Sequence, residues 1–256
     1  MRRKLFVNSV VPVLVTPPPW SPLNLGASLI DFWDASAGVV LSGADVITWT
    51  GQGPNHYVLG LNAITGAAAP VSPTYNAASF NGKPGITFAG ANGVDGQYLT
   101  TTANAVSFGT NTPSFFMACT LSNGVNGFGR WLSTDNNATD WTNPDSIVAL
   151  TRDSGTDSVT WTYNFNVGAT TLVTVGYDTP FRYGVIFDGV NGTIYLNNVQ
   201  QTPNAIVLTL AATLRLAVGT GYNANHNVNG IARRIVITNN AVSATDRANI
   251  DTWLQG

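Results

Sequence analysis

From about residue 25 to the end of the chain, short alternations of apolar and polar residues recur between clusters of Gly, Asn, Pro and Asp. Alternation with a period of two puts the apolar side chains on one face of a half-buried strand, and Gly/Asn/Pro clusters close each strand with a turn. This pattern predicts strands at 46–50, 85–88, 114–121, 158–164, 206–210, 214–218 and 231–238. The stretch 182–200 reads as a hairpin: Tyr183-Gly-Val-Ile-Phe and Thr193-Ile-Tyr-Leu flank a turn containing Asn191-Gly192, and Asn-Gly tolerates the positive φ that tight hairpins need. Helical periodicity is clear once, near the C-terminus. Ser243 and Asp246 have the spacing of a capping box, with Asp in place of the usual Glu or Gln, and Ile250, Trp253 and Leu254 then share one face of a helix running to about 254.

Residues 1–24 follow neither period. Pro12, Pro17, Pro18, Pro19 and Pro22 impose extended backbone and forbid helix or central strand. Leu5, Phe6, Val7, Val10, Val11, Val13, Leu14 and Val15 are too apolar for a free tail. The opening Met1-Arg-Arg-Lys-Leu-Phe-Val imitates a secretory signal, but Asn8, Ser9 and Pro12 interrupt the apolar run and no Ala-x-Ala site follows. The segment is therefore read as a retained docking arm. Arg2, Arg3, Lys4, Leu5, Phe6, Val7, Val13, Leu14 and Trp20 are its expected partner contacts, and 25–256 form one sandwich domain.

Composition agrees with strands and turns. Charged residues make up only 9% of the 256, so much of the surface is uncharged Asn, Thr, Ser and Gly. A net charge of −2 gives no global attraction to nucleic acid, and no apolar run is long enough for a membrane span. All thirteen acidic residues are Asp, which excludes any mechanism that needs a glutamate. The single Cys119 lies in the apolar run 114–121 and reads as a buried thiol with no catalytic part.

Two stretches together resemble a family. Val46-Ile-Thr-Trp-Thr-Gly-Gln-Gly-Pro-Asn-His-Tyr precedes Phe80-Asn-Gly-Lys-Pro-Gly-Ile-Thr-Phe-Ala-Gly and Gln97-Tyr-Leu, and the 182–200 hairpin precedes Gly230-Ile-Ala-Arg-Arg-Ile-Val-Ile and the capped helix. In this order they resemble the laminin-G-like, concanavalin A-like domains of phage and bacterial surface proteins, over about residues 27–254. Gly51 and Gln52 depart from the Asp and Ser that relatives often carry there. The resemblance implies an all-β, two-sheet antiparallel jelly roll, with the arm in front and a short helix behind.

Candidate chemistry is sparse. Glycosidases of similar fold use paired glutamates, absent here, and no Asp-x-Asp pair replaces them. His56 and His226 each follow an Asn in a Gly/Asn-rich loop, where loop hydrogen bonding is the simpler role. The densest polar run is 133–146. Asp135, Asn137, Asp140 and Trp141 are its candidate ligand-binding residues, and Asp135, Asp140 and Asp145 its candidate calcium ligands. Trp33, Trp49, Trp161 and Trp253 read as core, Trp131 as ambiguous, and Trp20 and Trp141 as contact residues. No cofactor is implied.

These observations lead to a non-catalytic virion structural protein, a phage capsid decoration or tail-associated adhesin. Its arm docks it among other structural proteins as an oligomer on the virion surface, and its sandwich binds glycan or protein. The alternatives are an extracellular bacterial carbohydrate-binding module and a polysaccharide-degrading enzyme.

Overall fold

The structure is a computed structural model that describes residues 19–64, 69–90, 96–103, 105–123, 129–135, 147–152, 157–163, 167–168, 172–220 and 227–256. A 3-10 segment, Pro22–Ser28, leads into the strands β1 (Leu29–Asp34), β2 (Val39–Ser42), β3 (Asp45–Thr50), β4 (Val58–Gly60), β5 (Thr74–Phe80), β6 (Lys83–Ala89) and β7 (Leu99–Thr100). The middle of the chain forms β8 (Ser114–Cys119), β9 (Arg130–Asp135), β10 (Ile147–Arg152), β11 (Ser158–Tyr163), β12 (Val167–Gly168) and β13 (Val173–Thr174). Then come β14 (Phe181–Phe187), β15 (Asn191–Leu196), β16 (Val199–Gln200), β17 (Asn204–Ala205), β18 (Arg215–Val218), β19 (Asn229–Thr238) and the helix α1 (Ala244–Gln255). Among the described residues no helix is long and apolar enough to cross a membrane.

The strands make two antiparallel sheets. In the first, the long β19 carries β6 and then β1 along one edge and β8 along the other, followed by β14, β15 and the short β16 and β17. The second runs β2, β3, β4, β7, β18, β9, β10, β11, with β12 and β13 at its far edge. The pairing Asp45↔Thr74, between β3 and β5, joins them at one corner.

The core lies between the sheets, and β8 explains why its sequence is apolar at nearly every position. Phe115, Met117 and Cys119 point into the main core, where they join Trp33, Trp49, Trp131, Trp161, Phe187, Leu216 and Ile235. Phe116 and Ala118 point the other way, into a second cluster with Leu29, Phe32, Ile186, Val236 and the helix residues Ile250 and Leu254. A strand buried on both faces loses the alternation of a half-exposed one. Burial also pushes the Cys119 thiol well above its usual range, which keeps it protonated.

The helix begins as its sequence predicts. The Ser243 hydroxyl oxygen accepts the N–H of Asp246 at 3.1 Å, and the hydroxyl donates to the Asp246 carboxylate at 2.8 Å. Trp253 closes the apolar face, edge-on to Phe32 at 5.5 Å, with the Arg234 guanidinium 4.5 Å from its ring centre.

Three expectations are corrected. Segment 206–210 is no strand: after the two residues of β17 the chain leaves the first sheet and crosses to the second. The 182–200 hairpin turns at Asp188-Gly189-Val190, with Gly189 at φ 91°, while Asn191 and Gly192 already belong to β15. Gly192 is needed there for space, since a Cβ would come within 2.5 Å of Trp161. The consecutive left-handed pairs sit instead at Asn81-Gly82, joining β5 to β6, and at Asn197-Asn198, joining β15 to β16. Trp20, read as a partner contact, is half-buried and packs with Leu25 against the cluster beneath α1.

Candidate functional site

Of the residues singled out in the polar run, Asn137, Asp140, Trp141 and Asp145 lie outside the described residues, as do His226 and the arm positions Arg2, Arg3, Lys4, Leu5, Phe6, Val7, Val13 and Leu14. Asp135 is described, and it is no loop ligand. It is the last residue of β9, paired across the sheet with Arg215 of β18, and is 3% exposed. Its two carboxylate oxygens accept from Arg215 Nη2 at 2.7 Å and Nε at 3.2 Å. A carboxylate held in this fork is committed to its guanidinium. Among the described residues, no three His, Cys, Asp or Glu side chains gather in a metal-binding arrangement.

Most other described aspartates are spent in the same way. Asp34 binds Arg234 at 2.6 Å and Ser36, Asp178 takes the Ser122 hydroxyl at 2.6 Å, and Asp251 takes Arg182 at 2.8 Å. Asp188 caps the β14–β15 turn, accepting the N–H groups of Val190 and Asn191 at 2.9 and 2.7 Å. Asp31 is fully buried beneath the loop 51–57 and accepts three backbone N–H groups, of Phe32, Gly53 and Tyr57, at 2.9, 2.6 and 2.7 Å. Burial raises its pKa above 3.8, against the opposing pull of those bonds and of His56. His56, at φ 50°, places Nδ1 3.2 Å from the Gly51 carbonyl oxygen within this loop.

An open recess lies where two chain crossings run side by side. Residues 101–113 pass from β7 to β8, and 206–213 pass back from β17 to β18. Val106 and Leu214 exchange both backbone hydrogen bonds at 2.8 Å, which ties the crossings together. Asn111 Oδ1 adds a third tie by accepting the Leu210 N–H at 2.9 Å. Between them a groove of about 310 Å³ opens, lined by Ser107, Gly109, Thr110, Asn111, Leu210, Ala211 and Ala212. Phe108 and Leu208 turn inward to the core, so their neighbours face out.

Among the described residues, no charged side chain lines this groove. Its floor is the half-buried Leu210 and Ala211, which rest on the core. Its wall offers the exposed Ser107 hydroxyl, the Thr110 hydroxyl, which donates to the Asn239 carbonyl, and the Asn111 amide, whose oxygen accepts the Leu210 N–H. Neutral donors and acceptors over an apolar floor suit a neutral polyol. Residues 107–111 carry no motif in the sequence. Nothing in it announced that 210–212 would stand opposite.

No protein-family profile matches the chain, and no curated protein matches it. Solved structures do share the fold. Domain 4 of the extracellular GH43 arabinanase AbnA of Geobacillus stearothermophilus, in complex with arabinotriose, aligns over 88% of this chain and 98% of its own, at 10% identity and a TM-score of 0.58. The botulinum neurotoxin serotype G binding domain aligns over 89% of this chain and 51% of its own, at 11% identity and a TM-score of 0.60. Trypanosoma rangeli sialidase with 2,3-difluorosialic acid aligns over 88% of this chain at 13% identity and a TM-score of 0.57, but this chain spans only 33% of the sialidase. At these identities the likeness establishes the fold alone, an all-β sandwich shared with a toxin binding domain, an arabinanase domain and part of a sialidase chain.

Proposed function

We propose that this protein is a non-catalytic binding module that holds a neutral glycan in the groove between its two chain crossings. The observation that carries the reading is the groove itself, with its uncharged hydroxyl and amide groups beside Leu210 and Ala211. The commitment of Asp31, Asp34, Asp135, Asp178, Asp188 and Asp251 to backbone groups, hydroxyls and arginines, together with the lack of Glu, supports the non-catalytic half. A shallow groove without an aromatic platform among its lining residues gives weak affinity, on the order of millimolar.

The finer part of the reading rests on sequence alone. The apolar, proline-stiffened arm suits docking onto other subunits of an assembly such as a virion, and the motif order suits the laminin-G-like family. The test is a panel of neutral oligosaccharides titrated into labelled protein and followed by amide NMR, alongside a reducing-sugar assay. Saturable shifts at Ser107, Thr110 and Asn111, lost in Ala212→Trp with folding intact and with no sugar release, are the expected result. Binding that Ala212→Trp leaves unchanged puts the glycan elsewhere. Sustained sugar release makes the protein an enzyme.

A further inference from the structure

The two sheets end in several edges, and among the described residues all but one are guarded. The outer edge of β1 lies under the loop 51–57: the Gln52 N–H donates to the Phe32 carbonyl at 2.8 Å and the Asn55 amide to the Ile30 carbonyl at 2.7 Å. β5 bulges out of regular pairing, since it runs from Asn76 to Phe80 while β6 runs only from Gly85 to Lys83, and the Ala78 N–H is drawn onto the Asn76 side chain at 2.8 Å. At the remaining ends, β12, β13, β16 and β17 are two residues long each. Covers, bulges and short strands are the devices by which a sheet avoids pairing with another chain.

β2 has none of them. Among the described residues its Val39-Val-Leu-Ser pairs with β3 alone, and the register shift beside Val40 and Leu41 falls on β3, where Ile47 is the extra residue. Val40 is 55% and Leu41 40% exposed, and no charge or proline interrupts the strand. An apolar, regular and unguarded edge is a template for one more strand.

A segment of this chain fits that edge. Residues 1–18 precede the described part, and within them 10–15 read Val-Val-Pro-Val-Leu-Val, uncharged and mostly β-branched like β2 itself. Pro12 is tolerated in an outermost strand, where its missing N–H faces away from the ladder. We propose that the outer edge of β2 takes segment 10–15 of a second copy of this chain as an added strand. The proposal rests on the reading of residues 1–18 as a docking arm and names what the arm docks to. A second copy is favoured over the chain's own arm by where the arm begins. Trp20 packs beneath α1, on the face of the first sheet that points away from the core, whereas β2 edges the second sheet. Pro17, Pro18 and Pro19 stiffen the chain at the point where it would have to turn back. An extended segment as long as 1–18 reaches roughly 50–60 Å, enough to cross to a neighbour of this size.

The test is sedimentation equilibrium of the full chain over a range of concentrations, with circular dichroism checking the fold of each variant. The parent should self-associate. Leu41→Lys, which puts a charge on the edge, and Val13→Asp, which puts one in the arm, should each weaken association by about tenfold or more, while Val199→Lys, at an exposed position of β16, should leave it unchanged. Val13→Asp changes no residue of the sandwich and decides the matter if Leu41→Lys fails to fold. A parent chain that stays monomeric overturns the proposal; if the arm is still needed for joining a larger assembly, the docking reading stands without it. Association that survives Leu41→Lys, or that Val199→Lys weakens as much, overturns it as well. So does association lost in Leu41→Lys but kept in Val13→Asp, which would mean that β2 pairs with β2 of the second copy.

Discussion

The Asp31 carboxylate holds the 51–57 loop onto β1 through three backbone N–H groups, and it leaves no room for side chains beside it. A Cβ on Gly51 or Gly53 would meet it at 2.3 or 2.6 Å. Asp31→Asn should destabilise the fold by about 1–3 kcal/mol, since a buried amide cannot accept all three bonds as a carboxylate does. The pH dependence follows from the raised pKa. A group with a higher pKa folded than unfolded adds stability below the unfolded value and loses it as pH rises through the folded one. The gap between parent and Asp31→Asn in urea midpoints should therefore widen from neutral pH toward acid. A gap that narrows would mean the N–H bonds outweigh burial. Asp135 makes a second prediction: Asp135→Ala strands a guanidinium that is 1% exposed and should cost roughly 3–5 kcal/mol in chemical denaturation. Replacing Asp135 and Arg215 together by apolar residues should cost much less.

At the scale of elements, the two faces of β8 tie the helix to the core. Phe116 and Ala118 meet Ile250 and Leu254 on one side while Phe115 and Met117 build the sandwich on the other. Leu254→Ala should cost about 2–5 kcal/mol by cavity formation. Ser243→Ala, which removes the cap, should cost about 1 kcal/mol. Thermal melts of both variants check the ranking, and an Ser243→Ala variant as damaged as Leu254→Ala would mean that the helix start is held by more than its cap. The turns were legible by residue type and misplaced by position. Asn-Gly was correctly associated with a tight turn, and at 81–82 it makes one. At 191–192 the same dipeptide enters a strand, because Asp188 caps the turn and Trp161 occupies the space a side chain at 192 would need.

For the whole molecule, the boundary between arm and sandwich comes down to Trp20. It packs with Leu25 against the cluster under α1, so a chain starting at Leu23 loses a contact that a chain starting at Pro19 keeps. If residues 1–18 serve docking, the chain from Pro19 should melt within about 2 °C of the full chain and the chain from Leu23 about 3–6 °C lower. A large loss in the chain from Pro19 would show that the arm braces its own domain.

Much of the architecture was present in the order of residues. Period-two alternation marked β3, β6, β11, β18 and β19 within a residue or two of their ends. The continuous apolar run marked β8, and Ser243 with Asp246 marked the helix start, because each is a local consequence of backbone geometry. Trp131, ambiguous in sequence, became core when Phe88 met it edge-on at 5.6 Å. The sites were decided elsewhere. Asp135 sits in a polar run and looked like a ligand until strand register placed Arg215 beside it. The groove joins residues 107–111 to 210–212. Neither pairing has a local signature, because antiparallel register and the packing of one sheet on another bring together residues that chain separation keeps unrelated.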